Sequence, residues 1–143
     1  MPNWQLGAGY TFTESKYRKD ANKANEGKAN EGSLFDTDIP RHLFKMSTTY
    51  TLPGALDQWR IGSSLYRQNR IYNKGTTYMV EQDAFTLVDF MVGFKPTAHI
   101  DAQLNLNNAF DKKYYNSLSS SVTVPSNVYG EPRNMMLSVK YSF

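Results

Sequence analysis

Residues 133–143 alternate in polarity with a period of two: Met135, Leu137, Val139, Tyr141 and Phe143 fall on one face, Asn134, Ser138, Lys140 and Ser142 on the other. Side chains that change sides at every residue define a β-strand with one apolar and one wet face. The strand runs to a terminal aromatic, which is how a transmembrane β-barrel chain ends. A strand of this kind cannot stand alone, so the rest of the sequence must supply partners with the same two-sided pattern.

Five further segments do so. The first, about 4–17, sets Trp4, Leu6, Ala8, Tyr10 and Phe12 against Gln5, Gly7, Gly9, Thr11 and Thr13. The second, about 41–52, turns Phe44, Met46, Thr48, Tyr50 and Leu52 one way. The third starts at Trp59 with Ile61, Ser63 and Leu65 on its apolar side. The fourth, 85–95, opposes Val88, Phe90, Val92 and Phe94 to Leu87, Asp89, Met91 and Lys95. The fifth, 100–110, opposes Ile100, Ala102, Leu104 and Leu106 to Asp101, Gln103, Asn105 and Asn107.

The connections alternate in length. Long polar stretches at about 18–40, 71–83 and 111–132 are separated by the tight turns 53–57 and 96–98. Long loops on one side and short turns on the other is the plan of an outer-membrane barrel, with the long loops outside the cell. Phe143 then lies at the periplasmic rim. Trp4, Tyr50, Trp59, Phe94, Tyr141 and Phe143 gather at the short-turn end, where amphipathic rings favour the headgroup layer.

Composition agrees with all-β and bounds the chemistry. The 143 residues include 14% aromatics, and no run of 18 apolar residues provides a membrane helix. Cysteine is absent, which excludes disulfides, thiolate metal sites and a Cys nucleophile. A net charge of +3 spread among carboxylates gives no nucleic-acid signature. No signal-peptide pattern opens these residues; for a protein that works in an outer membrane, the export signal is then expected on sequence outside residues 1–143. The tandem repeat Lys23-Ala24-Asn25-Glu26-Gly27 and Lys28-Ala29-Asn30-Glu31-Gly32 is polar and Gly-containing, and reads as an inserted loop without a core.

The run Asn105-Leu106-Asn107-Asn108-Ala109-Phe110-Asp111-Lys112-Lys113-Tyr114-Tyr115 resembles the penultimate-strand motif of TonB-dependent outer-membrane receptors, and Gly130-Glu131-Pro132-Arg133 before the last strand resembles their closing motif. Ile39-Pro40-Arg41-His42-Leu43-Phe44 and Thr86-Leu87-Val88-Asp89-Phe90-Met91-Val92-Gly93 are similar to barrel strands of the same family, in the same order. Around Val128-Tyr129-Gly130 the likeness is to ferric siderophore receptors of the hydroxamate and pyoverdine type. The resemblance implies a barrel of ~22 strands blocked by an N-terminal plug. Residues 1–143 would be the C-terminal portion of that barrel, with about six antiparallel meander strands and no plug domain. It further implies TonB-dependent uptake of a ferric siderophore, contact with outer-membrane lipid, engagement of the TonB complex through the plug, and a strand end at Tyr141 and Phe143 read by the barrel assembly machinery.

Catalytic chemistry finds no footing. His42 and His99 are expected at opposite ends of the barrel, too far apart to share a metal or a triad. Ser119-Ser120-Ser121 reads as hydrated loop, and Asp89 and Asp101 as lumenal carboxylates near Lys95 and Lys140. The expected ligand site is the extracellular mouth, where Arg67, Arg70, Tyr72, Tyr78, Tyr114, Tyr115 and Tyr129 cluster about the long loops. Flat phenol rings suit an organic chelate and guanidinium suits its anionic oxygens, so the protein itself would provide no metal ligand. Two other readings use the same strands: a small outer-membrane barrel or surface protein closing by oligomerisation, and a soluble β-barrel ligand binder with an apolar interior.

Overall fold

The computed structural model describes residues 3–18, 32–74, 78–119 and 126–143. Residues 23–31 of the tandem repeat, together with Ser120 and Ser121, lie outside the described residues. The strands are β1 (Trp4–Phe12), β2 (Ser15–Lys16), β3 (Leu34–Phe35), β4 (His42–Thr51), β5 (Trp59–Gln68), β6 (Ile71–Lys74), β7 (Met79–Gln82), β8 (Phe85–Phe94), β9 (Ile100–Asn107), β10 (Tyr115–Ser117), β11 (Val128–Tyr129) and β12 (Asn134–Tyr141). One turn of 3-10 helix, Gly54–Leu56, closes the first short connection.

The six long strands form one antiparallel meander in the order β1-β4-β5-β8-β9-β12. Register fixes the faces. Trp4, Tyr50, Ile61, Val92, Leu104 and Leu137 are successive partners across all six strands, so they share a face. On the opposite face Thr51, Arg60, Gly93, Gln103 and Ser138 form another such row. The alternation read in each strand is therefore in phase over the whole sheet, with an apolar face and a polar one; Met91 and Met136 are apolar members of the polar face.

Among the described residues nothing covers the apolar face. Phe90, Leu104 and Val139 are 44%, 43% and 66% exposed, which is the reverse of a soluble binder with its apolar side chains shielded inside. β4, β5 and β8 have 10 residues each, about 33 Å of strand. At a barrel tilt of roughly 40° that rises ~25 Å, the height of the apolar band of an outer-membrane barrel. Even the indole of Trp4 on this face is satisfied, its Nε1 donating to Thr48 Oγ1 at 2.6 Å. β1 and β12 each keep one unpaired edge. In hydrocarbon each unpaired backbone group costs several kcal/mol, on the order of tens over such an edge, so the sheet requires further strands to close.

Strands end earlier than the polarity pattern suggests. β9 stops at Asn107 because Asn108 takes a left-handed backbone (φ 47), a conformation Asn tolerates and a ladder does not. β1 stops at Phe12, and the next residues pair instead as β2 with β3. The long connections are likewise not featureless: β6 pairs with β7, and β10 with β11. Among the described residues the buried hydrophobics are Ile71, Phe85 and Leu118. They belong to this long-loop end, so the packed interior lies beneath the loops and not in the middle of the sheet.

Candidate functional site at the long-loop end

The three long connections are tied to one another. The backbone N–H of Tyr72 in β6 donates to Thr37 O in the first connection at 2.9 Å. That of Tyr115 in β10 donates to the side-chain oxygen of Gln82 in β7 at 2.8 Å. These bonds hold the loops as one rim.

Within the rim, a cavity of about 470 Å³ opens between the β2–β3 hairpin, the lead into β4 and the start of β6; Phe35, Thr37, Arg41, Asn69, Arg70 and Tyr72 are among its walls. Both guanidiniums come paired. Arg41 binds Glu14, whose carboxyl is held below its usual range chiefly by a hydrogen bond from Lys16, with the Arg41 charge adding to it. Arg70 binds Glu81 at 2.5 Å and lies 5.6 Å over the Tyr72 ring. The cavity thus offers an aromatic wall, side-chain amide and hydroxyl groups, and two oriented cations whose charge is partly balanced. Asp36 lines the cavity as well, so the lining suits a polar organic ligand that carries both hydrogen-bond donors and oxygen acceptors. Neutral amide contacts add orientation without a charge penalty.

The residues singled out from the sequence separate into groups. Arg70 and Tyr72 meet in the cavity, and Tyr78 stands half-buried just before β7. Tyr115 and Tyr129 form a second unit, rings 4.7 Å apart and hydroxyls 3.2 Å apart; this hydrogen bond is the main cause of the raised pKa of Tyr115. Tyr114 is packed, its ring 4.6 Å from that of Phe85. Partial burial pushes its phenol pKa up. Gly130 exists to admit that ring: a Cβ there would stand 1.9 Å from Tyr114 Cζ. Arg67 is set apart, opposite Phe44 and Thr86 on the apolar face. Arg41, Asn69 and Thr37 join the cavity without a signal in the sequence pattern, although Arg41 lies inside the Ile39–Phe44 stretch that resembles a barrel strand.

The polar face below the rim is braced differently from expectation. Asp101 accepts from Arg60, not from a lysine, at 2.7 Å. The guanidinium crosses β8 over Gly93, where a Cβ would be 2.8 Å from its Nε. Asp89 accepts from Ser64 Oγ and from the backbone N–H of Asn108, both at 2.8 Å, which fixes the end of β9. Ser119, expected in hydrated loop, is 4% exposed, because the β10–β11 hairpin folds back and Asn127 Oδ1 accepts from its N–H at 2.7 Å. His42 opens β4 at the long-loop end, whereas His99 sits at the short turn before β9, its Nδ1 2.9 Å from Ser142 O. Among the described residues no group of three or more His, Cys, Asp or Glu converges as a metal site.

With this geometry in place, the comparisons are specific. The family model for the "TonB dependent receptor-like, beta-barrel" matches residues 2–109. A ferric-pyoverdine BN7/BN8 receptor of Pseudomonas putida is 33% identical over 140 residues, covering 98% of this chain and 15% of that protein. The ferripyoverdine receptor of Pseudomonas aeruginosa is 30% identical over 148 residues, 99% of this chain and 16% of its own length. The crystal structure of an outer-membrane ferripyoverdine receptor of Pseudomonas aeruginosa with ferripyoverdine bound superposes with a TM-score of 0.80 at 28% identity, covering 100% of this chain and 18% of that one. The chain therefore spans about a sixth of the length of the curated relatives it matches.

Proposed function

The chain belongs to the TonB-dependent receptor β-barrel family, and from that premise we propose that it forms the C-terminal part of the barrel wall of an outer-membrane receptor for ferric siderophores of the pyoverdine type. The sheet supplies a lipid-facing exterior and a wet interior. The tied long loops supply one sector of the extracellular mouth. Iron enters as cargo, its coordination sites filled by the chelate's own oxygens, so the receptor recognises the organic shell. Uptake is transport without bond chemistry: the TonB complex, drawing on the inner-membrane proton gradient, acts on a plug carried elsewhere in the receptor.

The observation that carries this reading is the match of 98% of the chain to a ferric-pyoverdine receptor at 33% identity, together with a rim cavity whose Arg41, Arg70 and Tyr72 suit an anionic, ring-bearing chelate. Arg67 stands outside that cavity and is assigned no part in ligand capture. Tyr115 and Tyr129 form a second phenol surface for the chelate. Tyr114 serves by holding the last loop against Phe85. Tyr141 and Phe143, with rings 5.1 Å apart, form the strand end that the assembly machinery reads.

The test is uptake of radioactive iron as ferric pyoverdine by cells whose only such receptor is the full protein containing this segment. Uptake is expected to stop on adding a proton-gradient uncoupler. Tyr72→Ala with Arg70→Ala is expected to weaken chelate binding about tenfold or more, the loss of one ring contact and one charged hydrogen bond. Binding of ferric pyoverdine unchanged in that double variant would refute the cavity assignment. No accelerated uptake of any ferric chelate would refute the function.

A further inference from the structure

Arg67 occupies an unusual place. Tyr10, Phe44 and Arg67 are successive register partners, followed by Thr86, so the guanidinium projects from the same face as the lipid-facing aromatics. Arg41, Arg60 and Arg70 each hold a carboxylate. Arg67 holds none among the described residues. Its Nη1 donates to Thr86 Oγ1 at 3.1 Å, the one of its five N–H donors used among the described residues.

Height along the sheet explains how a cation survives there. Arg67 is eight residues beyond Trp59 in β5, about 26 Å along the strand and roughly 20 Å in height at barrel tilt. That places it near the upper edge of the apolar band, where an outward Arg costs ~0–1 kcal/mol instead of the ~2–4 kcal/mol of the midplane. Beside it, the Tyr10 hydroxyl lies 2.7 Å from His42 Nδ1, and the Phe12 and His42 rings are 5.1 Å apart. Tyr10, His42, Phe44, Arg67 and Asn69 border a cavity of about 220 Å³. The backbone under it is fixed, since Asn69 Oδ1 accepts from His42 N at 3.0 Å.

We propose that this outward shelf, with Arg67 and His42 as its polar groups and Tyr10, Phe12 and Phe44 as its apolar floor, binds the phosphate of a phosphorylated lipid headgroup in the outer leaflet. The shelf is continuous with the lipid-facing band, which selects a lipid over a soluble anion. A guanidinium with free N–H pairs matches phosphate oxygens in bidentate fashion. The inference rests on the membrane-barrel reading but not on the identity of the chelate.

The test uses the full receptor in mild detergent, offered lipid A carrying both phosphates or the same lipid after phosphatase treatment, with retention read by native mass spectrometry. The phosphorylated lipid is expected to be retained about tenfold more than the dephosphorylated one. Arg67→Ala with His42→Ala is expected to lower its retention by about tenfold, and Arg67→Lys to keep an intermediate level, consistent with charge-assisted bonds. Both variants are expected to keep the heat-dependent gel mobility of a closed barrel and the wild-type affinity for ferric pyoverdine. Equal retention of the two lipids, or wild-type retention in the double variant, would overturn the proposal. So would competition by inorganic phosphate with no lipid retained. A receptor that retains phosphorylated lipid yet binds no ferric chelate would count against the proposed function and leave the shelf standing.

Discussion

Removing the Asn108 side chain should open the last outer loop without unfolding the sheet. Asn108 is 4% exposed. Its Nδ2 donates to Lys112 O at 2.9 Å and Glu131 O at 3.0 Å, while its Oδ1 accepts from Lys112 N at 2.8 Å. One side chain therefore ties the exit of β9, the following turn and the approach to β12. In Asn108→Ala these three bonds are lost, about 1 kcal/mol each, and Ala is left at φ 47, a further ~1 kcal/mol. The sum, ~4 kcal/mol, is close to three decades in the opening equilibrium. Lys112 and Lys113 give the readout: trypsin added to intact cells cuts after them at a rate that follows the open population while reclosing outpaces cleavage. Cleavage should rise by at least about tenfold in Asn108→Ala even if half of that energy is absorbed by relaxation. Asn108→Gly, freed of the left-handed penalty, should be cut about threefold more slowly than the Ala variant. Cleavage of Asn108→Ala within about threefold of wild type, or Gly cut faster than Ala, would refute the clip.

Two further outcomes follow from the same rim. Gly130→Ala should cost about 1–3 kcal/mol in denaturant unfolding by displacing the Tyr114 ring, and Tyr114→Ala should relieve that cost, so that the double variant is no less stable than Tyr114→Ala alone; additive losses would contradict the contact. In Tyr115 the ionisation is raised by its bond to Tyr129, so that bond supports the β10–β11 hairpin below pH ~10 and is lost as pH rises through the shifted value. Tyr129→Phe should move the Tyr115 titration down when followed by NMR of ring-labelled tyrosine, and no movement would exclude the bond.

How much of this was legible in the sequence depended on whether the signal was local. Period-two polarity is a property of each strand, and Trp4, Tyr50, Ile61, Val92, Leu104 and Leu137 could be assigned one face before any pairing was known. Arg67 shows what position alone leaves out: it lies at the long-loop end, yet eight residues beyond Trp59 it keeps the outward phase of Ile61 and Leu65. The Arg60–Asp101 pair skips a strand and depends on the space above Gly93, which no spacing rule reveals. Arg41 and Asn69 join the rim cavity only through the fold-back of β2 and β3, whose two-residue strands carry no periodicity. Tyr114 looked like a ligand-facing aromatic, and Gly130 was the hint that a ring must lie flat on the backbone.

The most direct test is the side from which each residue of β12 is reached. Residues 1–143 contain no cysteine, so with any cysteine elsewhere in the full receptor replaced by serine, single Cys substitutions from Met135 to Tyr141 can carry nitroxide labels in lipid bilayers. Oxygen, which concentrates in hydrocarbon, should relax the labels at 135, 137, 139 and 141, and a water-soluble nickel chelate those at 136, 138 and 140. Labels at 137 and 139 relaxed by the aqueous chelate and shielded from oxygen, or a signal with no alternation, would contradict a barrel wall that turns these side chains to lipid.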